Sequence, residues 1–328
     1  MFSELVVAYL FLGGTGAGAC AVAASLGLFA DTDEVCRAAT ARFRDGCGRW
    51  YGRFFGGSLT AAAASLSVGV VCLVADAGRP DRLLLLLTAG PTSYLAVGAW
   101  VLSACLVLAL LCALAWRGVV PVSVPLLRGL CALLLAAAVA TAAYTGLLLA
   151  DMPAVPLWHS WWLPAAFVIS SLSCGIAVVL AAALLTGCAS AFSRTLHTLV
   201  RVDGALILAE AAVLVAWVAS VWADAGVGSA DAARTATDEV ALASLQLLIA
   251  GPHAALFWVG LVGVGLALPI AVDVLALRAA ASWRSAPCAS LAGQGALLAS
   301  AFCVLIGGAC LRAAVVAAGA LPIAACPF

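Results

Sequence analysis

Eight long apolar runs constrain this chain more than any other feature, at about residues 4 to 30, 54 to 76, 90 to 116, 125 to 150, 162 to 187, 199 to 223, 250 to 277 and 290 to 318. Each can cross a hydrocarbon layer of roughly 30 Å, which takes about 20 helical residues. In lipid every backbone N–H and C=O must be satisfied by an intra-segment helix or a closed barrel. The runs are rich in Ala and Leu and lack two-residue alternation, so they read as helices. Composition agrees: 66% of the 328 residues are apolar, 9% are charged and mean hydropathy is +1.20, against roughly 45–50% apolar in soluble domains. The expected fold is all-α and polytopic, with eight transmembrane helices in contact with membrane lipid. Glu4 stands where a signal peptide would carry basic residues, and the first run is longer than a signal-peptide core, so it reads as a retained helix. The longest polar connection, 31 to 53, is too short for a soluble core. No nucleic-acid partner is expected.

Orientation follows from arginine, since the chain has fifteen Arg and no Lys. Connections after the odd-numbered segments, with the helix ends beside them, hold Arg37, Arg42, Arg44, Arg49, Arg53, Arg117, Arg128, Arg194, Arg201, Arg278 and Arg284. The opposite side holds Arg79, Arg82 and Arg234. Eleven against three places the odd-numbered connections in the cytoplasm of a cell-membrane protein, with both termini extracytoplasmic. The cluster Asp76-Ala77-Gly78-Arg79-Pro80-Asp81-Arg82 then lies outside, against the local charge bias. That placement suits either a headgroup anchor or a specific site.

Three histidines bound the cofactor options. Axial haem ligands must face each other across helices, and only His159 and His253 share a side, neither deep in a span; haem is not expected. The thirteen cysteines form no Cys-x-x-Cys pair and lie mostly inside apolar runs, as small packing residues do. No metal or iron–sulfur site is expected in this chain. Ionisable residues within spans are costly and become functional candidates by default. Asp203 and Glu210, seven residues apart on the sixth segment, share a helix face about 10 Å apart along the axis. Arg312, in the outer third of the eighth segment, is placed to pair with Glu210 or Asp76. These three residues make either a proton relay or a structural ion pair. Asp273, at the inner end of the seventh segment, reads as snorkelling to the interface.

The fourth segment ends at Tyr144-Thr145-Gly146-Leu147-Leu148-Leu149-Ala150-Asp151-Met152-Pro153, followed by Pro156-Leu157-Trp158-His159-Ser160-Trp161-Trp162-Leu163-Pro164. Trp158, Trp161 and Trp162 suit an aromatic belt. Together with Tyr144, His159, Asp76 and Arg79, Trp158 would also suit a quinone headgroup, which needs flat apolar walls, one or two donors and a proton route.

Several segments together resemble the NrfD/PsrC family, the polytopic subunits of quinone-linked oxidoreductases. They are Tyr9-Leu10-Phe11-Leu12-Gly13-Gly14, Asp76 to Arg82, Gly90-Pro91-Thr92-Ser93, Gly98-x-Trp100, Tyr144-Thr145-Gly146-Leu147-Leu148, Pro156-Leu157-Trp158, Leu163-Pro164, Phe257-Trp258-x-Gly260 and Ile306-Gly307-Gly308 with Arg312. Ala77 departs from the pattern, where relatives commonly carry a larger apolar residue. The resemblance implies two four-helix bundles, residues 1–150 and 151–328, with a menaquinone or ubiquinone site at the outer side of the first and no haem. It further implies electron exchange with a ferredoxin-like subunit carrying several 4Fe–4S clusters, itself bound to a catalytic subunit, often a molybdopterin enzyme. By motif position Tyr144 would be a quinone ligand, with Asp76 to Arg82 beside it. Two alternatives stand next to this reading. A lone proton or small-solute transporter would show a polar midplane pocket or broken helices, and a purely structural anchor would have lost the outer tyrosine and charges.

Overall fold

The computed structural model describes residues 4–30, 46–76, 94–152, 155–224, 236–282 and 291–320. Among these residues the chain is helical throughout, without strands. In chain order it forms α1 (Glu4–Phe29), α2 (Gly46–Asp76), α3 (Tyr94–Trp116), α4 (Val124–Ala150), a 3₁₀ turn (Pro156–Trp158), α5 (Trp162–Leu185), α6 (Ser193–Asp224) and α7 (Ala236–Ala250). A π-helix (Leu256–Ala267) then runs directly into α8 (Leu268–Ser282), and α9 (Leu291–Ala320) follows. Eight of these helices are long and apolar enough to cross a membrane, the π-helix and α8 together making one. Their ends fall close to the runs read from sequence.

Local chemistry sets several of those ends. Ser123 is extended, and Pro125 in the first turn of α4 has a fixed φ already suited to a helix start. At the other end of such helices, Gly118 and Gly187 take φ of 68° and 71°. The Val119 N–H then reaches back to the Leu114 carbonyl at 3.0 Å and that of Cys188 to Ala183 at 2.9 Å, closing α3 and α5 with the six-to-one bond of a Schellman turn.

The seventh run differs most from expectation. Read as 250 to 277, it spans only from Leu256, and residues 236–250 ahead of it fold separately as α7, too short to span. Leu245 and Leu248 of α7 are buried, and α7 packs on the 3₁₀ turn and α9. The spanning helix starts at Leu256 with i→i+5 geometry that persists to the junction, where the Leu268 N–H bonds the Gly263 carbonyl.

At the centre lie α1 and α5. Two-thirds of the apolar window of each is buried, against one-third in α2, α3 and α4. They cross where Gly18 meets Gly175: a Cβ on Gly18 would sit 1.7 Å from the Ser171 carbonyl oxygen, and one on Gly175 would sit 2.2 Å from the Gly18 carbonyl carbon. Apolar helices in lipid gain little from hydrophobicity on meeting, so backbone approach through small residues supplies the packing. Because α1 touches α2 and α4 as well as α5 and α9, it holds an aromatic region near its own start and an interior polar region in one frame.

Candidate functional site

Tyr144 on α4 is 7% exposed and Tyr9 on α1 is 2% exposed, and the two phenols lie close enough to interact with each other. The Tyr144 ring fits because α3 presents Gly98 to it; a Cβ there would lie 1.8 Å from the ring carbon bearing the hydroxyl. Two phenols, each able to donate or accept, are thus fixed between three apolar helices.

The other residues expected around Tyr144 are placed differently. His159 lies on an exposed cavity of about 280 Å³, lined also by Leu147, Ala150, Asp151, Ser160 and Trp161, where its Nδ1 is 3.2 Å from the Ala150 carbonyl oxygen. Trp158 is fully buried. Its indole N–H donates to the Val315 carbonyl of α9 at 2.9 Å, and Gly319 makes room for its ring, so it ties the 3₁₀ turn to α9. Of the three tryptophans read as a belt, Trp161 and Trp162 are the exposed pair. Asp76 is the exposed last residue of α2. Arg79 and the remainder of its cluster lie outside the described residues, as do Gly90 to Ser93. The structure therefore joins Tyr144 to Tyr9, and places His159 in a cavity that Tyr144 does not line.

A second constellation occupies the interior between α1, α5, α6, α8 and α9. Arg312 is completely buried. Its Nε donates to the Leu10 carbonyl of α1 at 3.0 Å, Nη1 to the Gly308 carbonyl at 2.8 Å and to the Ser170 hydroxyl at 3.3 Å, and Nη2 to the Ser171 hydroxyl at 2.9 Å. Glycine clears the space: a Cβ on Gly14 would fall 2.7 Å from Nη2. The ring faces of Phe11 and Phe167 lie 5.9 and 5.3 Å from the guanidinium carbon, within cation–π range. The direct ion pair with Glu210 or Asp76 that the sequence suggested is not how this cation is held; these four hydrogen bonds all end on neutral oxygens. Glu210 is nevertheless adjacent, its carboxylate lying close enough to Ser170 and to the Arg312 guanidinium to interact with both.

Asp203 accepts from the Ser173 hydroxyl at 2.6 Å, one turn along α5 from Ser170, and is coupled electrostatically to both Glu210 and Asp273. Asp273 corrects a second expectation. Far from snorkelling, it is 5% exposed and accepts from Ser300 of α9 at 3.1 Å. The packing of α8 against α9 and α6 turns it inward, where a lone apolar run gave no cue to its direction. Sequence reasoning also missed the hydroxyls that complete this ladder. Their signal was legible: Ser170, Ser171 and Ser173 interrupt an otherwise apolar span at helical spacing.

The cysteines behave as packing residues. Cys20 of α1 meets Cys105 of α3, and Cys112 of α3 meets Cys131 of α4, all four buried. Among the described residues, no group of three or more metal-ligating side chains converges.

Fold and site together define a multi-pass α-helical membrane protein that holds a phenol pair and a polar ladder in its interior. The family model for polysulphide reductase, NrfD, matches residues 1–324, and the chain belongs to that family. It is also 35% identical over 137 residues to the C subunit of polysulfide reductase from Wolinella succinogenes, a stretch covering 42% of this chain and 39% of that relative.

Proposed function

We propose that this chain is the membrane-anchor and quinone-reactive subunit of a multi-subunit oxidoreductase in the cell membrane. In this reading it exchanges electrons between a menaquinone or ubiquinone pool and an extracytoplasmic ferredoxin-like subunit with 4Fe–4S clusters, beside a catalytic subunit of the molybdopterin type. The observation that carries it is the Tyr9–Tyr144 pair, anchored on the same turn of α1 whose Leu10 carbonyl receives Arg312. A quinone headgroup needs a donor for its carbonyl within apolar walls, and Tyr144, its ring seated against Gly98, offers a phenol hydroxyl in such a setting. The group would supply two-electron, two-proton chemistry when bound.

The protein's own part is then to bind, orient and handle protons. Tyr144 Oη donates to the headgroup, and Tyr9 fixes that hydroxyl and can return a proton to it. His159, Asp76 and Arg79 belong to the outer approach, and Trp158 keeps the 3₁₀ turn on α9. Asp203 and Glu210, with Arg312 holding a positive charge behind Ser170, form the relay. A transporter acting alone is the runner-up because of these interior charges, which lie away from the outer boundary where the sequence gathers its polar motifs. The tyrosine pair favours the first reading, since a solute route does not call for it.

Tyr144→Phe tests the assignment. It keeps the ring against Gly98 and removes the hydroxyl, so quinol-dependent turnover of the assembled complex should fall about 100-fold, the scale of a lost proton donor, with subunit assembly unchanged. Undiminished turnover with a quinol analogue would remove Tyr144 from the site.

A further inference from the structure

We propose that Asp273, held by Ser300, is the entry port through which protons from the arginine-rich side reach Asp203 and Glu210. The inference rests on reading those two residues as a relay, and it adds the residue that supplies them.

Depth is the first argument. At a 1.5 Å rise per residue, Asp203 lies about 15 Å from the start of α6, while Asp273 lies about 14 Å from the end of α8 and Ser300 about 14 Å from the start of α9. These three helix ends are on one side of the molecule, so the three residues share a level. Glu210 and Arg312 lie further in, about 25 and 31 Å from the starts of their helices. Asp273 and Asp203 therefore form the first level and Glu210 the next, with Ser300 and Ser173 donating to the first two from adjacent helices and Ser170 beside Glu210. Arg312 closes the inner end of the series.

The second argument is a specific atom. Oδ1 of Asp273 accepts from Ser300, while Oδ2 is buried and has no hydrogen-bond partner among the described residues. A buried acceptor left alone costs about 1–3 kcal/mol, and a purely structural carboxylate would be expected to satisfy both oxygens. An oxygen that takes up a proton and passes it on must instead be open to a transient partner. Asp273 is also the carboxylate that Asp203 feels from the neighbouring helix. Exposed Arg278 lies one and a half turns further towards the end of α8. The step is a proton transfer alone: a proton bonds to Oδ2 of Asp273, leaves for Asp203, and no electron moves.

The test follows hydrogen exchange in the chain itself, without partner or quinone. Purified protein in lipid nanodiscs is moved from H₂O to D₂O, and the shift of its carboxylic C=O infrared bands is timed, with Asp203→Asn and Glu210→Gln assigning the bands. Asp273→Asn keeps an acceptor for Ser300, so the fold should hold, and exchange at Asp203 and Glu210 should slow about tenfold or more. Asp273→Glu should restore it. Ser300→Ala, which leaves the carboxylate in place but frees its orientation, should slow exchange by a smaller factor and covers the case where Asp273→Asn fails to fold. Exchange as fast as native in Asp273→Asn, or in Ser300→Ala if the first variant is lost, overturns the proposal. Because the readout needs no quinol turnover, loss of the Tyr144 assignment would leave it unaffected.

Discussion

Among the described residues of α1–α4 the buried polar side chains, aromatic ones aside, are Thr15, Ser58, Thr141 and Thr145, all neutral; along α5–α9 they include Asp203, Glu210, Asp273 and Arg312. The same hydroxyl chemistry is used in opposite ways. Ser58, Thr141 and Thr145 donate to carbonyls three or four residues back in their own helices, at 2.8, 2.8 and 2.7 Å. Ser170, Ser171, Ser173 and Ser300 instead bond across helices to ionisable groups. A hydroxyl in an apolar interior bonds its own backbone when nothing better is near, since an unmet donor is costly there. Where a buried charge needs partners, hydroxyls from neighbouring helices serve it. Helices α1–α4 thus isolate two phenols, whereas α5–α9 sustain charge.

The sharpest way to break that contrast is to remove the charge that has the most hydrogen-bond partners. Arg312→Leu strips the donors from the Leu10 and Gly308 carbonyls and leaves Glu210 without a nearby cation, which should lower stability by about 3–5 kcal/mol. It should appear as a large drop in melting temperature in detergent, and a melting point within error of native would mean that the guanidinium stabilises nothing. Next in size is the seam that joins the two regions. Gly18→Ala forces a methyl group into the Ser171 carbonyl, and overpacking of this kind costs about 1–3 kcal/mol; an unshifted melting temperature would show that α1 and α5 are less tightly joined than described.

Glu210→Gln separates the regions functionally. The amide keeps the size and polarity of the side chain beside Ser170, so the fold and quinol oxidation should persist, while proton movement in proteoliposomes, followed with an entrapped pH dye, should fall about tenfold or more. Identical proton-to-electron stoichiometry would reject the relay. The smallest effect is a control at an open position in α4. A Cβ on Gly129 meets nothing within 4 Å, so Gly129→Ala should be neutral or stabilising by about 0.5–1 kcal/mol, the helix-interior penalty of glycine. Destabilisation by it would indicate that helix packing extends further than the Gly18 seam.

Much of the architecture was written in the order of residues. Eight runs of sufficient length, each almost free of charge, leave few options in lipid other than eight helices, and the boundaries of α1 and α4 follow them almost residue for residue. Asp203, Glu210 and Arg312 were legible as candidates because any ionisable residue in a span must have a reason to be there. What those residues touch was not legible. A helix that is apolar all round has no moment to indicate which face turns inward, so the inward turn of Asp273 could not be read, nor the substitution of serines and carbonyls for a carboxylate around Arg312. Burial of Trp158 and the pairing of Tyr9 with Tyr144 are equally products of packing, made where Gly319 and Gly98 leave room. Sequence alone determined that this chain crosses a membrane and which rare groups it carries there, because the cost of exposing backbone or charge to lipid is local. Which of those groups meet was decided only by helix–helix contact, because close approach depends on small residues from distant parts of the chain coming together.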